Sequence, residues 1–103
     1  NCSPEICDWI DTYESTFGNM PNIGSAYGYM YMDITAKALE IAGRDLTTDS
    51  FLNALESIND YKIPFGDTIL SWSPEKHLGA NVAYLFEVQN GAFMQIDNKE
   101  YTY

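Results

Sequence analysis

One histidine, two cysteines and fifteen carboxylates are the groups of this 103-residue chain best suited to acid–base, nucleophilic or metal chemistry. His77 would have to serve any Ser-His-Asp or Cys-His site, yet it sits in the Pro- and Lys-containing stretch Ser73–His77, where a solvent-facing side chain is the plainer account. Asp8, Asp11 and Glu14 recur at the spacing of one wet helix face, which explains them better than a paired acid and base. Asp45 to Asp49 lacks the central glycine and the closing glutamate of a calcium loop. Cys2 and Cys7 stand five apart, and either a small disulfide loop in an oxidising compartment or two separate thiols fits that spacing. Zinc would need further ligands, and His77 is distant in sequence. There is no glycine-rich phosphate loop and no nucleophile elbow, so the sequence points to no catalytic residue, metal or cofactor.

Binding is better represented. Gly24 to Gly43 (GSAYGYMYMDITAKALEIAG) reads as a long helix that starts at Ser25 as its N-cap and ends at Gly43, expected in the left-handed conformation. Gly24, Ser25, Ala26, Tyr27 and Tyr29 then place two phenols and a hydroxyl beside the free N–H groups of a helix start, where a carboxylate or small polar group can be held. A cap plus two core aromatics accounts for the same residues, and residue types alone favour it. Tyr27, Met30, Tyr31, Ile34, Ala38 and Ile41 follow one side of the helix, while Tyr29, Met32, Ala36 and Leu39 fill much of the rest. Such a helix needs cover on more than one face.

The net charge of −10 argues against nucleic acid and anionic membranes as partners, since phosphate requires Lys and Arg. No apolar run is long enough to span a bilayer, and no basic segment leads into an apolar one at the start. If the protein is exported, its signal lies outside this sequence. The length fits one domain over 1–103, burying about two-thirds of its unfolded surface.

Ser3-Pro4-Glu5 signals a first helix, with Ile6, Trp9, Ile10, Tyr13 and Phe17 on its apolar side and Gly18 ending it. A loop around Pro21 leads to the long helix. Thr47 or Thr48 caps a third helix running to about Ile58, with Phe51, Leu52, Leu55 and Ile58 on its apolar face. Short links predict antiparallel neighbours. After an irregular Ile63–Asp67 stretch, Thr68 to Trp72 fits a short strand and Val82 to Val88 a longer one. Asn90-Gly91 turns the chain into a return strand from Ala92 to Ile96. Asp97 to Tyr103 is polar and aromatic and is expected to fray in part. The chain itself therefore reads as α+β: three helices, then short strands and a C-terminal hairpin.

Taken in order, these stretches resemble the last part of the type I periplasmic binding proteins, the branched-chain amino acid or leucine-binding class of ABC-transporter receptors. The run Ala26–Gly43 is similar to a Tyr-led helix passing through Ala-Leu (Ala38-Leu39) to Ala-Gly (Ala42-Gly43). Leu46–Leu55 resembles the capped helix that follows, with its own Ala54-Leu55. Gly66-Asp67-Thr68-Ile69 resembles a glycine-led strand, Ser73–His77 a turn with a histidine, and Val82–Val88 with Asn90-Gly91 and Phe93 a terminal hairpin. Asp8–Gly18 looks like the helix preceding them.

The resemblance implies an α/β fold of two lobes closing on a solute. This chain would supply roughly its C-terminal third, without the parallel strands that centre each lobe. The three helices would belong largely to the first lobe, and the hairpin would cross back through a hinge. It implies a non-enzymatic, extracytoplasmic receptor for a small polar ligand such as an amino acid or amide, working with a membrane permease. Gly24 to Tyr27 would line the cleft, and the groups gripping a ligand's amino end would lie upstream. The alternative is a free-standing acidic interaction domain whose apolar faces self-associate, exchange strands or pair with another chain.

Overall fold

The computed structural model describes residues 2–66 and 68–102. Three helices come first: α1 (Pro4–Phe17), α2 (Ile23–Ala42) and α3 (Thr48–Glu56). Each start is a side-chain cap satisfying an otherwise orphaned N–H. Ser3 accepts from the Ile6 N–H ahead of α1. Asn22 and Ser25 form a reciprocal capping box at α2, and Thr47 and Ser50 form another at α3.

Two helix boundaries differ from the sequence expectation. The cap of α2 is Asn22, not Ser25, because Asn22 precedes the first helical residue and its Oδ1 accepts from the Ser25 N–H at 3.1 Å. The helix therefore starts at Ile23, and Gly24 to Tyr27 lie within it rather than ahead of it. At the other end Gly43 has positive φ as expected, but its ψ of −164° turns the chain into an extended exit instead of a left-handed cap. The third helix stops at Glu56, where the Ser57 and Ile58 N–H groups bond back over short spans and the chain leaves for its first strand.

Among the described residues, six short strands follow in three separate antiparallel pairs. β1 (Tyr61–Lys62) pairs with β2 (Ile69–Leu70), β3 (Val82–Ala83) with β6 (Tyr101–Thr102), and β4 (Phe86–Gln89) with β5 (Ala92–Gln95). The expected Thr68–Trp72 strand shrinks to two residues, since Trp72 leaves the ladder to bond its N–H to the Ile58 carbonyl. Val82 to Val88 is two strands, not one, because its ends serve different partners. Nor does the tail simply fray: Tyr101 and Thr102 are the partners of Ala83 and Val82. Asn90 (φ 51°) and Gly91 (φ 80°) take the two positive φ values of a type I′ turn, which fixes the β4–β5 register. Two expected features extend onto Asp67 and Tyr103, which lie outside the described residues.

The core gathers around one stripe of α2. Met30, Ile34 and Ala38 are buried against Ala54, Ile58, Tyr61 and Leu70. Ala38 and Ala54 are small enough for α2 and α3 to approach closely. Trp72 closes one side, and it lies so near the Gly79 backbone that a Cβ there would stand 2.5 Å from the indole. Much of α2 beyond this stripe is uncovered: Ile23, Tyr27, Tyr31, Met32 and Ile41 are all exposed.

The accessible surface is 7797 Å², against about 5,800 Å² for a compact monomer of this size. The radius of gyration is 16.6 Å, against about 13 Å for a chain this long.

Tyr61 is the buried polar contact of this core. Its hydroxyl donates to Asp33 Oδ2 at 2.6 Å, and Lys37 Nζ sits 5.7 Å from its ring centroid. Burial first, then the bond to the Asp33 carboxylate and its negative charge, raise the phenol pKa above its ordinary 10.0. The unfolded chain releases this proton near the ordinary value while the folded chain retains it. The stabilisation is thus complete below that pH and falls as pH rises beyond it. Tyr61→Phe should cost about 1–2 kcal/mol at neutral pH. It should also flatten the alkaline loss of stability in urea titrations as pH rises above about 10.

Candidate ligand-binding site at the start of the second helix

The residues singled out at the start of α2 do not converge on one point. Ser25 and Tyr29 are one turn apart and face α1. Tyr27 lies roughly 200° around the helix from Tyr29 and stacks on Tyr31 at 6.1 Å with an interplanar angle of 16°. Both rings of that stack are exposed. Gly24 packs tightly against its own cap, with a Cβ position only 3.1 Å from Asn22 Oδ1. Ala26 donates its N–H to the Asn22 carbonyl, so it too belongs to the capped first turn.

Ser25 already has its hydrogen bonds. Its hydroxyl donates to the Tyr13 hydroxyl at 2.9 Å and accepts from the Asn22 N–H at 3.3 Å. The hydroxyl expected to greet a ligand thus ties α1 to α2. With Tyr29, Trp9, Tyr13, Thr12 and Met32 it borders an apolar groove of about 400 Å³.

A larger cavity of about 660 Å³ lies at the other end of the α1–α2 junction, bounded by the start of α1, Tyr29 and residues 62–66. Trp9, Tyr29 and Phe65 form its aromatic wall. Trp9 and Phe65 meet edge to face at 4.8 Å, Tyr29 and Phe65 at 5.8 Å, and Trp9 and Tyr29 at 5.7 Å. Helical periodicity places Trp9 on the apolar face of α1, whereas Phe65 lies in the irregular stretch after β1. No local signal joins residues 56 positions apart in the chain. Cys2 and Cys7 are joined as a disulfide at the start of α1, beside this cavity.

His77 is exposed, and its Nε2 lies 2.8 Å from Oε1 of the largely covered Glu56. Among the described residues no group of three or more His, Cys, Asp or Glu side chains is placed to hold a metal ion. None of the described helices is long and apolar enough to cross a membrane.

The family model of the periplasmic binding proteins matches residues 2–92. The chain belongs to this family. No curated protein and no solved structure gives a significant match. The match to the type I class spans all three helices and reaches Ala92, the first residue of β5. Periplasmic binding proteins are extracytoplasmic proteins that bind solutes rather than transform them.

The double role of Ser25 gives a direct check. Ser25→Ala removes both the capping bond and the tie to Tyr13, and should cost about 1–2 kcal/mol. Tyr13→Phe removes only the tie and should cost less. Paired chemical denaturation curves measure the difference.

Proposed function

We propose that this chain is the C-terminal portion of an extracytoplasmic receptor that delivers a small polar solute, such as an amino acid or amide, to an ABC-transporter permease. On this reading residues 1–103 form one unit corresponding to the last third of a two-lobed protein, and the unit alone does not hold the solute.

The observation carrying the proposal is the uncovered side of α2. A folded chain of this size exposing roughly 2,000 Å² more than a compact monomer has surfaces shaped for something else, and the outer face of α2, with Ile23, Tyr27, Tyr31, Met32 and Ile41 exposed, is one of them. Within the family match, the natural cover is the rest of the receptor. Gly24, Ser25, Ala26, Tyr27 and Tyr29 are proposed as the cleft-facing stretch. Ser25 and Tyr29 support this best, since they share one face beside the α1–α2 groove.

The coding sequence upstream of Asn1 tests the fragment. It should continue in frame for roughly two hundred residues of alternating strands and helices, and a start codon directly before Asn1 would count decisively against it. Titration calorimetry of the isolated chain with leucine, alanine and acetamide should show no binding at micromolar concentrations. Tight binding of any of them would mean that the cleft is not incomplete.

A second reading, self-association, is favoured by the hairpin. One face of β4–β5 presents Phe86, Val88 and Phe93, and every residue of both strands is exposed. A lone two-stranded hairpin is marginal in water and gains from a third strand or a covering surface. Sedimentation velocity should show an average mass rising with concentration, and Phe93→Lys should suppress it. A strictly monomeric boundary at all concentrations removes this reading.

A further inference from the structure

The cavity beside α1 is not required by the receptor reading, which uses only Tyr29 among its walls. We infer that this cavity, between Glu5 and the Trp9–Tyr29–Phe65 wall, binds small aromatic ammonium compounds, and that the Cys2–Cys7 disulfide sets its rim.

The volume of about 660 Å³ lies within the range of small-molecule sites. Its walls come from three separate stretches of this chain: the start of α1, Tyr29 near the start of α2, and residues 62–66 at the end of β1 and the loop after it. The three rings brace one another at 4.8 to 5.8 Å, so the apolar wall is held by mutual contacts. Aromatic rings attract cations through their quadrupoles as well as apolar groups through burial.

The charge balance selects among apolar ligands. Glu5 is at the rim, and its own backbone N–H together with the Ser3 hydroxyl holds its carboxyl below the ordinary range, so it is ionised at neutral pH. Lys62 also borders the cavity and is itself engaged in an interaction. The chain as a whole carries fifteen acids against five bases. A cation is therefore favoured over an anion of the same shape.

The disulfide supplies an independent argument. The loop that it closes contains Ser3, Glu5 and Ile6, all three of which border the cavity. Closing that loop restricts the segment presenting the carboxylate, which is what a charge-selective rim requires.

The inference does not rest on the receptor reading, because every wall belongs to the 103-residue chain and the probes differ from the receptor's solutes. Phenethylamine, 2-phenylethanol and 3-phenylpropionate share a ring and differ in charge. Titrated into the chain and followed by NMR, phenethylamine should bind with a dissociation constant of millimolar order, as expected for so few atoms. It should shift the Trp9 indole, Tyr29 and Phe65 signals. The alcohol should bind several-fold more weakly and the anion more weakly still.

Glu5→Gln, a change at an exposed side chain, should reduce amine affinity to that of the alcohol and leave the alcohol unchanged. Reducing the disulfide should narrow the amine's advantage in the wild type, with no further effect in Cys2→Ser/Cys7→Ser. Equal affinity for all three compounds, preference for the anion, shifts confined to residues outside the cavity, or an unaltered preference in Glu5→Gln would each overturn the charge-selective site. An amine preference untouched by reduction would overturn the role of the disulfide.

Discussion

The packing of one stripe, Met30–Ile34–Ala38, against α3 and the first strand pair sets the terms for everything else in the molecule. It is the only buried line on α2, and it joins a helix of twenty residues to one of nine. Because hydrophobic stabilisation scales with the area removed from water, the centre of stability lies where these elements meet. α1 contributes no buried residue of its own. It attaches through long aromatic side chains and the Tyr13–Ser25 hydrogen bond, so the surface between α1 and α2 is grooved rather than closed.

That grooving links fold to binding. Two close-packed helices leave no room between them, whereas two helices spaced by rings leave cavities wherever the rings fail to fill the gap. Ser25 and Tyr29 border one such space, and Trp9, Tyr29 and Phe65 another. Trp9 and Tyr29 are common to both. The family match gives the chain its general role.

Much of the helical region was legible in the sequence because its signals are local. Ser3-Pro4, Gly18 and Thr47 act within a turn of themselves, and each sits where its chemistry suggests. The Asn90-Gly91 turn is legible for the same reason, since both residues must adopt positive φ whatever surrounds them. Ser25 shows how such a signal slips. A serine three residues into a helix and a serine ahead of it look alike in sequence, and only the competing Asn22 distinguishes them. The strands were less legible because two residues carry no periodicity: β1 and β2 exist through each other, as do β3 and β6. The candidate site was half legible. Tyr29 could be found on α2, but its neighbours Trp9 and Phe65 are brought to it by tertiary structure alone.

The pairing of β3 with β6 also bears on the order in which the chain assembles. Val82 meets Thr102 across an excursion that contains the entire β4–β5 hairpin. Hairpins with two-residue turns close within about 1–10 microseconds, and closing a loop costs more entropy the longer its free chain. Once Asn90-Gly91 has turned and β4 has zipped onto β5, the free chain left between β3 and β6 is only a few residues on each side. The hairpin thus acts as a splint: its early closure brings Tyr101 and Thr102 within reach of Val82 and Ala83, and the latch at its base fastens last.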